Sequence, residues 1–86
     1  MSDDNKYSPL ERYLRSLPVT QEDVTMTLEF IEQVLNSQLP LSAHNDRAWW
    51  GNQQQGTYVD AIAWMDAGWL VDTVDLHEKW VRFVRQ

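Results

Sequence analysis

The sequence predicts an α+β domain of three helices and a small antiparallel sheet. Two observations carry this. Several segments repeat apolar residues at helical spacing behind capping residues, and residues 69 to 86 alternate like two strands around a tight turn. A chain of 86 residues with 43% apolar and 23% charged residues has the composition of one globular domain and the size for one core.

The first helix is read from SPLERYLRSLP. Ser8 stands as N-cap, Pro9 at the first helical position and Glu11 as the partner of a capping box. Leu10, Tyr13, Leu14 and Leu17 form one stripe, with Arg12 and Arg15 off it, and Pro18 stops the helix. Residues 1–6 read as a flexible tail and 7–86 as the domain. After a connector, VTMT at 24–27 alternates as a short edge strand. Thr27 then caps LEFIEQVLN, whose Leu28, Phe30, Ile31, Val34 and Leu35 make a wide apolar face.

Residues 38–56, QLPLSAHNDRAWWGNQQQG, have no sustained period beyond a helical turn near Ser42 to Arg47. A connection that long in a compact domain points to a functional segment. The third helix is TYVDAIAWMDAG, with Thr57 and Asp60 as a cap-like pair, Trp64 on its polar edge and Gly68 as its stop. WLVDTVDL and KWVRFVRQ then form a hairpin turning at His77, Glu78 and Lys79. The favoured register sets Leu76 opposite Val81, Val74 opposite Phe83, Asp72 opposite Arg85 and Asp75 opposite Arg82. The order helix-strand-helix-helix-strand-strand is winged-helix-like, with the last two strands as the wing.

The segments YSPLERYL, TLEFIEQVL, LPLSA, RAWWGN, AIAWMDAGWLVDTVDL and VRFVR together resemble a family of small bacterial domains marked by an LPxSA…WWxN…AW…AGW pattern. The resemblance runs from about Tyr7 to Arg85. It implies a domain able to stand alone, and it brings no assigned reaction and no catalytic residue.

Composition narrows the chemistry. The chain has no cysteine, so disulfides, cysteine metal sites and cysteine nucleophiles are excluded. The polar, acidic MSDDNK start and the lack of a long apolar run predict a cytoplasmic protein without signal peptide or membrane span. His44 with Asp46, and His77 with Glu78, do not make a metal-spaced set, and no phosphate-loop, nucleophile-elbow or zinc-protease motif occurs. The expectation is therefore a non-enzyme without metal or small-molecule cofactor.

Two binding readings stay open. The winged-helix order and a C-terminal strand bearing Lys79, Arg82 and Arg85 point to nucleic acid, with Trp49, Trp50, Arg47 and Asn52 as a base-stacking pocket that Ser42 and His44 could join. Against it, the net charge is −6 and the third helix has no Lys or Arg. The alternative is a protein-interaction or homodimerisation module docking through Trp64 and the loop tryptophans. Each candidate also has a bland role. Arg82 and Arg85 would pair with Asp75 and Asp72, and at least one of Trp49 and Trp50 would plug the core.

Overall fold

The computed structural model describes residues 6–52 and 59–86, without the side chains at 59 and 60. The order is α1 (Ser8–Arg15), β1 (Asp23–Thr27), α2 (Leu28–Leu35), α3 (Leu41–Asn45), a 3-10 turn (Arg47–Trp50), α4 (Val59–Asp66), β2 (Trp69–Asp75) and β3 (Trp80–Arg85). The α+β class and the three-stranded antiparallel sheet are as expected, and β1 lies at an edge. Among the described residues the helices number four rather than three. The difference is α3, read from the sequence only as a helical turn near Ser42 to Arg47 because five residues are too few for an apolar period. Pro40 at its cap supplies the fixed φ of −65°, and Ala43 is its buried residue. The first five residues of the tail, the glutamine run and the Thr57–Asp60 cap lie outside the described residues.

Local chemistry explains the other boundaries. Pro9 lies in the first turn of α1, but Tyr7, not Ser8, occupies the cap position. Glu11 does not close a capping box; its carboxylate accepts from Arg15 Nε one turn later at 2.9 Å. The Arg15 guanidinium also donates to the Asp66 carbonyl at 2.7 Å, which ties α1 to the carbonyl end of α4. Thr27 caps α2 as read, its hydroxyl accepting from Phe30 N at 3.0 Å. Asn36 ends that helix in the left-handed region at φ 55°. Gly68 follows α4 at φ +91°, a conformation open to glycine and costly for other residues.

The sheet order is β1-β3-β2, so β3 is the central strand. The expected hairpin register is corrected. Val74 faces Val81 and Val71 faces Phe83, with an irregularity at Asp72 between Val71 and Thr73. The cause is the turn. The Asp75 carboxylate accepts from the backbone N–H of His77 and Glu78, at 3.0 and 2.9 Å, and Lys79 closes the turn at φ 66°. Pairing thus starts two residues earlier on β2 than expected. Near the turn this two-residue slip keeps side chains on their expected faces, but beyond the bulge the offset is three residues, which puts Trp69 and Val71 on the core side in place of Leu70 and Asp72.

Helices cover one face of the sheet. The core joins Leu10 and Leu14 of α1, Ile31 of α2, Trp64 of α4, Met26 of β1, and Val81 and Phe83 of β3. On the other face, β3 presents Trp80, Arg82 and Val84, all partly exposed.

Candidate functional site

The predicted site residues fall into three separate places. The first is the aromatic loop. Asp46 caps the 3-10 turn by accepting from Ala48 N at 2.9 Å, and the turn drives Trp50 inward. Trp50 is 2% exposed and its indole N–H donates to the Ala43 carbonyl at 2.9 Å. Its ring stacks on that of Trp64, 5.7 Å between centroids. Trp64 is fully buried, which corrects its placement on a polar edge. Its helix position does face Asn52, and that single side chain provides the polar environment. Trp49 is half-buried, edge-on to Trp50 at 4.6 Å and to Tyr7 at 5.8 Å. Arg47 is exposed on the same turn.

Asn52 closes this cluster with three hydrogen bonds. Its Oδ1 accepts from the Trp64 indole and from Val71 N, both at 2.9 Å, and its Nδ2 donates to Val71 O at 3.0 Å. The side chain therefore mimics a neighbouring strand, satisfying both backbone groups of Val71 on an edge strand. Trp50, Trp64 and Asn52 are thus committed to one another and to the core.

The second place is the hairpin. Arg82 does not pair with Asp75. It bridges the flanking strands, donating at 2.7 Å to Asp23 of β1 and at 2.7 Å to Asp72 of β2. These contacts raise the Arg82 pKa, Asp23 contributing most and Asp72 next. The Thr73 hydroxyl, and then Arg82, hold the Asp72 carboxyl below its ordinary value. Arg85 does not meet Asp72. It lies over the Trp69 ring at 4.3 Å and donates to the carbonyls of Gln21 and Pro18, at 3.1 and 2.7 Å. The bulge and shifted register separate both expected acid–base pairs.

The third place is an open groove between α2, α3 and the hairpin turn, lined by Glu32, Leu41, His44 and Lys79 among others. Glu32 accepts from Leu39 N at 2.9 Å and lies 3.1 Å from His44 Nε2. Leu39 N–H, and secondarily His44, hold its carboxyl below the usual carboxylate range. His77 and Glu78 are 3.8 Å apart in the hairpin turn. Among the described residues no group of three or more potential metal ligands converges. No described helix is long and apolar enough to cross a membrane.

A family model described as a domain of unknown function, DUF7662, matches residues 7–86. The chain belongs to the DUF7662 family. No curated protein and no solved structure matches it. The DUF7662 match spans α1 through β3, so the aromatic cluster, the Asn52 clamp and the Arg82 bridge all lie within the family's extent.

One surface residue of this DUF7662 domain was missed by the sequence reading. Trp80 shares its face of β3 with Arg82 and Val84, opposite the buried Val81 and Phe83. The signal was present in that alternation: once Val81 and Phe83 point inward, Trp80 must point out.

Proposed function

We propose that this domain is a non-catalytic binding module of winged-helix-like build whose partner is a protein rather than a nucleic acid. The element order, with a sheet of order β1-β3-β2 and a C-terminal hairpin, supports the winged-helix comparison. The observation that carries the choice of partner is the internal commitment of the hairpin cations. A wing that holds phosphate needs free guanidinium or ammonium groups. Arg82 is shared between two carboxylates, and Arg85 is spent on Trp69 and two carbonyls. The helix that would enter the groove, α4, carries no Lys or Arg. With a net charge of −6, little remains to release counterions from a duplex. The nucleic-acid reading, first on topology, therefore becomes second on charge.

Fluorescence anisotropy tests this with labelled duplex DNA, single-stranded DNA and RNA. The expected result is no association at about 20 mM salt, where phosphate contacts are least screened. Binding that weakens steeply with added salt would restore the nucleic-acid reading.

A further inference from the structure

We infer that the outer face of the sheet is a docking surface for a cationic, apolar segment of a protein partner, anchored on Trp80. This rests on the protein-binding reading and specifies its face and partner chemistry.

Trp80 differs from the other four tryptophans. The indoles of Trp50, Trp64 and Trp69 donate to Ala43 O, Asn52 Oδ1 and Leu14 O. Trp49 packs edge-on against two rings and joins the core cluster. Among the described residues Trp80 has no hydrogen-bond acceptor and no aromatic partner, and it stands outside that cluster. It is nevertheless half-buried at the turn end of the central strand, between Thr27 and Asp75 on the neighbouring strands. A large, rigid side chain with an unused donor on an ordered strand is the kind of residue that dominates interface energies.

The surface beside it is fixed in advance. Arg82, two residues along, is held by Asp23 and Asp72 from both sides, so little side-chain freedom remains to be lost on binding. Val84 and Leu70 continue the face as partners across β3 and β2. Beyond them opens a groove of about 570 Å³, walled by Val84, Glu22 and Val19, the last 87% exposed. Apolar contacts therefore sit at both ends of the face, with charge between them.

Charge selects the occupant. Asp23 and Asp72 each give Arg82 only Oδ2; their Oδ1 atoms have no donor among the described residues. With Glu22 on the groove wall, the three exposed carboxylates outnumber the two guanidiniums, Arg82 and Arg85, the latter turned onto Trp69 and two carbonyls. Phosphate would be repelled by this rim. A second copy docking by the same face would bring two acidic rims together, as an isologous contact requires. A strand or loop carrying Lys or Arg between apolar residues meets complementary charge at the carboxylates that flank Arg82.

The test uses the full 86-residue chain, ¹⁵N-labelled, at about 20 mM salt, where surface charge is weakly screened. The probes are an acetylated, amidated Lys-Val-Lys-Val-Lys-Val-Lys peptide, its Glu-for-Lys analogue and an oligo-dT strand. The cationic peptide should shift the amides and indole of Trp80 and its β3 neighbours, and the other two probes should not. Trp80→Thr, which keeps a strand-forming residue, should weaken binding at least about tenfold. Asp23→Asn combined with Asp72→Asn should do the same, while Glu29→Gln on α2 should not. Circular dichroism checks that each variant is folded; if Trp80→Thr is not, the aspartate pair decides. Shifts confined to another surface, equal losses for Glu29→Gln and the aspartate pair, or no perturbation of Trp80 would each overturn the docking face and leave the protein-binding reading in place. Oligo-dT binding would overturn that reading as well.

Discussion

Asn52 does for Val71 what another strand would do, and it also supplies the acceptor for a tryptophan buried in the core. Removing it leaves the Trp64 indole without its partner, and an unmet buried donor costs more than a made hydrogen bond contributes. Asn52→Ala is expected to destabilise the domain by about 2 kcal/mol, lowering Tm by roughly 8–16 °C. Asn52→Asp keeps an oxygen for Trp64 and Val71 N but cannot donate to Val71 O, so it should fall between. A Tm for Asn52→Ala within a degree or two of the parent protein would show that the clamp does not hold the loop. The sequence marks RAWWGN as unusual through its paired indoles, and it foretells that one of them plugs the core. It does not say which. Trp50 is chosen by the 3-10 turn and by the Ala43 carbonyl, and the Asn52 side chain is matched to a strand 19 positions later. Those are tertiary facts with no local period.

At the scale of elements, the helices and strands were legible wherever apolar spacing and a capping group coincide, as at Thr27 ahead of α2. The hairpin register was not, because near the turn alternation is unchanged by a two-residue slip, and strict alternation has no place for the bulge at Asp72, which moves the inward phase from Trp69 and Val71 to Val74. Helix α3, legible only as a helical turn near Ser42 to Arg47, runs from Leu41 to Asn45 and is tied to α2 through Glu32, which accepts from Leu39 N and meets His44. That tie has a pH signature. The Glu32 carboxyl is lowered in the folded chain, so its contribution is present above the unfolded value of about 4.3 and is lost as pH falls through the lower folded value. Urea midpoints measured between about pH 5 and pH 3 should fall for the parent protein. They should fall less steeply for Glu32→Gln, whose amide oxygen can still accept from Leu39 N. Identical slopes would assign the acid lability to other carboxylates.

For the whole molecule, charge is the property that topology conceals. The winged-helix-like build proposed above would suggest a nucleic-acid binder, but the net charge is −6 and at least three of the seven Lys and Arg residues are turned onto the chain itself. Arg15 bonds Glu11 and the Asp66 carbonyl, Arg82 bridges two strands, and Arg85 holds the connector before β1. The remaining carboxylates repel one another across a body whose Cα radius of gyration is only 12.0 Å. Such a domain is destabilised by its own charge at low ionic strength. Raising NaCl from about 10 mM to about 150 mM, which shortens the screening length from roughly 30 to 8 Å, should therefore raise Tm by a few degrees. Surface ion pairs oppose this, because screening weakens them too, but exposed pairs are typically worth under about 1 kcal/mol each. A Tm that falls over this range would mean that the Arg82 bridge and its like outweigh the net repulsion. Under the charge-led reading, the same field that costs stability attracts a cationic partner, so association should slow with salt over the concentrations at which the free domain becomes more stable.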